Sequence, residues 1–220
     1  MAVSLLIILS VVVIFAGSRL YSQYREQVIR TEESQLLTMA GIVGNNLNSY
    51  MEQQLEEIDL FYSQEGMPEN VWAESGGINA RTAYFLKNNA GVYNWITVTE
   101  PDGTKFRYEP GKKTFRESAD GEVKAVDPQD GNHPAEITGK EISDQTGWYE
   151  LYIEKNVPVG SEVYVLTFAM DLGALYEKIV APVKIGEAGY SSVKDQNMNI
   201  IMHHVKNQIG LEAVDGRIER

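Results

Sequence analysis

The sequence predicts an α+β fold: a membrane-spanning helix that runs on into a long helix, followed by antiparallel strand pairs. Three observations predict it. Residues Ala2 to Gly17 carry no charge and no proline. From Leu20 to Tyr62 apolar residues recur mostly in steps of three and four, the period of one helical stripe. Beyond Pro68, aromatic and β-branched runs alternate with Gly, Pro and Asp clusters, the pattern of strands and turns.

The apolar run, extended past Ser18 and Arg19 by Leu20 and Tyr21, is just long enough to cross ~30 Å of hydrocarbon at ~1.5 Å per residue. Residues 1–21 are therefore assigned as a transmembrane helix. A cleaved signal peptide accounts for them less well. The run exceeds the usual signal core, no Lys or Arg precedes it, and Ala16-Gly17-Ser18 is a weak cleavage match. Arg19, Arg25 and Arg30 follow the span, so the positive-inside rule orients it against an exported domain, which points to residues upstream of Met1.

Residues 22–66 form the long helix, roughly 45 residues or ~65 Å. Its stripe comprises Leu20, Tyr24, Val28, Leu36, Ala40, Val43, Leu47, Met51, Leu55, Ile58 and Tyr62, interrupted over Thr31–Gln35. Glu32, Glu33, Glu52, Gln53, Glu56 and Glu57 occupy polar positions. The expectation is two uses: the membrane-near half pairs with a second copy, and the half after Gly41 packs on a sheet.

Gly66 and Pro68 end this helix, and Asn79 caps a short helix through Leu86. Tyr93–Glu100 and Thr104–Tyr108 make a hairpin about Pro101-Asp102-Gly103. Residues 109–146 are polar and lack a sustained period, reading as one long functional loop. Gly147–Glu154 and Glu162–Leu172 are strands linked through Pro158 and Gly160, and Gly173–Val180 is a short helix. Gly189–Lys194 and Asn199–His203 then repeat the first hairpin's plan about Asp195-Gln196-Asn197, a weak internal repeat of two modules.

Net charge is −12, from 19 basic and 31 acidic residues, which excludes a basic nucleic-acid footprint and broad adhesion to anionic headgroups. There are no cysteines, hence no disulfides, thiolate metal sites or cysteine nucleophile. No nucleophile elbow, phosphate loop or zinc-helix motif occurs, and no carboxylate pair has acid–base spacing. The segment is read as non-catalytic, without cofactor. His203 and His204, adjacent on a strand, face opposite sides, and with His133 as the third histidine no metal site is expected. Asp127–Gly131 lacks the alternating oxygens of a calcium loop.

In this order the elements resemble the double-Cache sensors of bacterial receptors, relatives of PAS domains. The resemblance rests on the span and long helix, the strand and turn Thr97–Gly103, the strand ending Ala169-Met170-Asp171-Leu172, and Gly189-Tyr190, Asp195, Ile200-Ile201-Met202-His203 and Ile209-Gly210. It implies a membrane-distal PAS-like module over 67–185 and the opening of a truncated membrane-proximal one over 186–220. It also implies a histidine kinase, diguanylate cyclase or chemoreceptor output elsewhere in the protein.

The resemblance implies that Trp148, Tyr149 and Tyr152 wall a ligand pocket, where aromatic area can also meet cations; plain strand packing is the competing reading. Where relatives that bind amino acids carry a carboxylate-clamping arginine, this chain has Thr146, and Arg107 or Arg116 is the substitute. Asp171 matches an aspartate that binds the ligand amine in relatives; it is also placed to cap the helix at Gly173. Trp95, on the first hairpin, completes the candidate set. The expected function is extracytoplasmic sensing of a small molecule, an amino acid or carboxylate, by a membrane-anchored homodimer. Closure of the pocket between the sheet and the 109–146 loop would move the long helix. The alternative is an anchored, non-catalytic protein-interaction module.

Overall fold

A computed structural model describes residues 2–63, 77–112, 114–117, 133–184 and 189–212, with the side chains of residues 1–12 and 115–117 outside the description. Most of the expected membrane span thus falls among undescribed side chains. Among the described residues no helix is long and apolar enough to cross a membrane.

The chain divides into two units, residues 1–45 and 46–220. The first is helix alone, part of α1 (Ala2–Tyr62). Its stripe residues Leu20, Tyr24 and Leu36 are exposed, as are Tyr21, Leu37 and Ile42. Helix α1 stops at Tyr62, short of the expected 66; Gly66 and Pro68 lie outside the described residues.

The second unit is built on a six-stranded antiparallel sheet, order β3-β2-β1-β6-β5-β4. Its strands are β1 (Tyr93–Thr99), β2 (Lys105–Tyr108), β3 (Phe115–Glu117), β4 (Glu136–Ile142), β5 (Tyr149–Val159) and β6 (Glu162–Asp171). The end of α1 and helix α2 (Gly77–Asn88) cover one face. Alternation decides which side chains enter this core. Ile96 and Val98 on β1, Leu166, Phe168 and Met170 on β6, and Ile153 and Val157 on β5 are all buried there. Ile58 and Tyr62 meet them from α1, with Tyr50, Met51 and Leu55 packed alongside, so the stripe from Tyr50 to Tyr62 packs on the sheet.

The 109–146 stretch differs from the expected loop, because β3 and β4 lie within it. Both are edge strands whose polar sequences carry no apolar alternation: β4 reads EITGKEI and is almost wholly exposed. Pro158 belongs to β5 rather than to the link, and the turn falls at Gly160. Strand β4 pairs with β5 only up to Glu154, so Pro158, in register with Val163 of β6, lies beyond the stretch that β4 covers, where a proline is tolerated. Asn79 does not cap α2. It sits inside the helix, where its amide oxygen accepts from the Tyr108 hydroxyl at 2.6 Å.

After β6 the chain turns through α3 (Leu172–Leu175) and one π-helical turn, Tyr176–Val180. Residues 189–212 hold a two-stranded hairpin, β7 (Val193–Lys194) and β8 (Ile200–Met202), both shorter than expected. The two hairpins share one turn chemistry. Asp102 accepts from the Thr104 amide and Asp195 from the Asn197 amide, each at 2.8 Å, closing the two turns the same way. Lys140, above all, together with the Asn197 and Asn199 donors, pulls the Asp195 carboxyl down to about 2.

The two histidines are corrected. Strand β8 ends at Met202 and the chain bends, so the His203 and His204 rings lie 4.6 Å apart rather than on opposite sides. Among the described residues no group of three or more His, Asp or Glu is placed to hold a metal ion.

Candidate ligand-binding face

The sheet face away from α1 and α2 carries the alternate residues of every strand. In register across it run Trp95, Ala169 and Tyr152, with Gly139 at the edge. An irregularity in β1 at Asn94 makes this possible. Tyr93 pairs with Met170 and Trp95 with Ala169, so one extra residue turns the indole outward while Tyr93 stays in the core. Ala169 is fully buried, and its small side chain lets Trp95 and Tyr152 meet over it with ring centroids 5.6 Å apart.

Arg107 comes from β2, one register step along, and lays its guanidinium 4.3 Å from the Trp95 centroid. Its Nε donates to Glu109 at 3.1 Å. Lys112 also donates to Glu109, and that bond, ahead of the nearby positive charges, holds the Glu109 carboxyl below its ordinary value despite partial burial. Among the described residues Nη1 and Nη2 of Arg107 have no hydrogen-bond partner, so the fork is held by stacking and by Nε while its end stays available.

Glu150, only 6 % exposed, sits behind the aromatic pair. One oxygen accepts from Trp95 Nε1 at 3.1 Å and the other from Asn94 Nδ2 at 2.8 Å. A buried carboxylate needs such donors, and here it fixes the indole in return. Tyr152 donates its hydroxyl to Glu141 at 3.1 Å. Burial first, and then the Glu141 bond and the Glu141 and Glu150 charges, push that hydroxyl up to about 12.

The structure therefore brings together Trp95, Arg107 and Tyr152 and separates the rest of the expected set. Tyr149 lies one residue out of phase with Trp148 and Tyr152 and takes the opposite face, with Lys140 Nζ 5.7 Å from its ring. Trp148 is buried beneath α3, against Tyr176 at 5.2 Å. Asp171 caps α3, its Oδ1 accepting from the Gly173 amide at 2.8 Å. It also lines a cleft of about 180 Å³ with Tyr50 and Lys178. The side chain of Arg116 and residues 118–132, most of the expected loop wall, lie outside the described residues. Glu150, Asn94 and Glu141 were missed. The signal for Glu150 was present: in WYELY it shares the period-two face of Trp148 and Tyr152, an acidic residue on an aromatic stripe.

Gly173 has a packing reason. A Cβ there would stand 2.7 Å from the rigid Trp148 indole. Gly173→Ala should cost about 1–3 kcal/mol by overpacking, read as a lower thermal midpoint with a shifted tryptophan emission. An unchanged midpoint would contradict this packing.

No protein-family model and no curated protein matches the chain. Solved structures do share its fold. A domain of a sensory box/GGDEF family protein from Vibrio parahaemolyticus aligns at TM-score 0.57 and 14% identity, over 82% of this chain and 74% of that one. The ligand-binding domain of Mlp24 with asparagine aligns at 0.56 and 17%, over 86% and 77%. The chain shares the fold of these bacterial receptor domains. The ligand-binding domain of the Campylobacter jejuni chemoreceptor Tlp3, in complex with 4-methylisoleucine, adds a third likeness at 0.52 and 12%, over 84% and 75%. At these identities the likeness speaks for the fold.

Proposed function

We propose that this chain is the ligand-sensing, non-catalytic region of a bacterial membrane receptor, and that its site is the open sheet face at Trp95, Arg107 and Tyr152. The observation that carries the reading is the Arg107 fork. It is stacked on one aromatic ring, oriented through Nε, and without a partner at its terminal nitrogens among the described residues, the arrangement that receives a carboxylate bidentately. The solved neighbours support it, being ligand-binding domains crystallised with small amino-acid ligands. In this proposal residues 1–21 anchor the chain, 67–185 are the membrane-distal module outside the cytoplasm, and 186–220 open a second module. The exposed Leu20, Tyr24 and Leu36 suit pairing with a second copy.

Transmission through α1 has a physical handle. Asp59 of α1 pairs with buried Lys155 of β5 at 2.9 Å and accepts from the Ala135 amide, just before β4, at 2.8 Å. A ligand that prefers one placement of these strands therefore biases α1, by no more than its difference in affinity for the two states.

Isothermal titration of the 220-residue chain against a panel of amino acids and small carboxylates tests the reading. The expected result is heat from at least one member, lost by roughly tenfold or more in affinity in Arg107→Gln. No heat from any member, or full affinity retained in Arg107→Gln, sinks the site.

A further inference from the structure

The charges on the site face are sorted across it. The β2 end carries Arg107, with Lys112 and Glu109 beside it. The β4 end carries Glu141, held by the Tyr152 hydroxyl through one oxygen. Between them lie the two aromatic rings over the small Ala169. Strands β2 and β4 stand four steps apart in the sheet, on the order of 19 Å at ~4.8 Å per step. Both charged side chains reach inward, Arg107 onto Trp95 and Glu141 to Tyr152, which leaves roughly 10–15 Å between guanidinium and carboxylate. Charge-assisted bonds take up ~2.8 Å at each end.

An α-amino acid with a short side chain cannot bridge that distance, because its ammonium and carboxylate sit on one carbon. A simple monocarboxylate, with no cation at its far end, leaves Glu141 facing an apolar tail. An elongated molecule with a carboxylate at one end and a cation at the other satisfies both ends, and lays its chain along Trp95 and Tyr152. We propose that the ligand class is the charge-separated zwitterion, with carboxylate on Arg107 and ammonium or guanidinium on Glu141, the two charges several bonds apart. This rests on the sensing site proposed above and specifies what it selects. Trp95 and Tyr152 set the length of the linker, and Glu141 acts as the specificity residue.

The test uses 6-aminohexanoate, hexanoate, hexylamine, L-alanine and adipate as probes, titrated calorimetrically into the 220-residue chain and its Glu141→Lys variant. Glu141 is exposed on an edge strand, and circular dichroism with a thermal midpoint verifies that the variant folds. For the unaltered chain 6-aminohexanoate is expected to bind at least roughly tenfold more tightly than hexanoate, hexylamine or L-alanine, each of which lacks one end or the span. In Glu141→Lys the preference should invert, with adipate replacing 6-aminohexanoate as the tightest probe. Equal affinity for hexanoate or L-alanine overturns the zwitterion inference and leaves the sensing site standing, as does an unchanged preference in Glu141→Lys. Silence from these five probes overturns this inference alone; silence from the wider panel as well removes the sensing site with it. A Glu141→Gln variant that loses 6-aminohexanoate while keeping hexanoate unchanged separates a lost ammonium contact from general damage to the face.

Discussion

Phe168→Ala is expected to destabilise the second unit by about 3–5 kcal/mol, the range for removing a buried phenyl ring when the site cannot collapse around the hole. Phe168 is fully buried on β6 and joins three elements. Its ring lies 5.9 Å from Tyr62 of α1, 5.7 Å from Phe85 of α2 and 5.6 Å from Tyr93 of β1, in tilted and edge-on arrangements. The surrounding rings are themselves locked. The Tyr62 hydroxyl bonds Thr82 at 3.2 Å and the Tyr93 hydroxyl bonds Gln54 at 3.2 Å. Burial raises both phenols well above their ordinary value, so both stay protonated and keep these bonds inside the core. Neighbours tied this way leave a cavity rather than fill it. Chemical denaturation followed by far-UV circular dichroism measures the loss. A change under about 1 kcal/mol would mean that α1 does not pack on this sheet as described.

Asp59→Ala should cost about 3 kcal/mol, and Lys155→Met much less, under about 1 kcal/mol. Lys155 is 4 % exposed and holds two partners through Nζ, Asp59 at 2.9 Å and the His133 carbonyl at 2.7 Å. Removing Asp59 strands a buried ammonium with one neutral acceptor and takes away the acceptor of the Ala135 amide. Removing the ammonium instead puts an apolar chain of similar size among Ile153, Val157 and Leu166, while the partly exposed Asp59 returns to water and keeps Ala135. Denaturation midpoints of the two single variants and the double variant decide it. Equal cost for the two single variants would contradict the stranded-ammonium account, and strict additivity in the double variant would show that the pair is not coupled. Because the pair joins α1 to β5 and to the chain entering β4, Asp59→Ala is also the variant in which ligand binding and helix response should part company.

Much of this was legible beforehand, and for a common reason: local periodicity survives folding. The stripe through Ile58 and Tyr62, the strands from Tyr93, Gly147 and Glu162, the Asp102 turn and the helix after Asp171 are each specified by neighbours in sequence. The reading of Asp171 as a cap was equally local, since Asp two residues before a helical amide is a short-range bond. Strand β4 escapes the sequence pattern because an edge strand exposed on both faces has no alternation to betray it, and β3, three residues long, is too short to show a period. The histidine pair was misread because one bend after β8 overrides strand alternation.

By itself the sequence determined where the helices and inner strands lie, that the chain carries strong net negative charge without thiols, and that four aromatic residues, Asp171 and an arginine, Arg107 or Arg116, were the candidates for recognition. Only the tertiary structure decided which of those candidates meet. Trp95 and Tyr152 are distant in the chain and become neighbours because β1 and β5 both pair with β6, and because an extra residue at Asn94 turns the indole to the outer face. Tyr149, adjacent to Trp148, is removed from the site by the two-residue period of the same strand. Sequence spacing fixes the face that a side chain takes along its own strand, whereas partnership across a sheet depends on register, which is set by contacts between segments far apart in the chain.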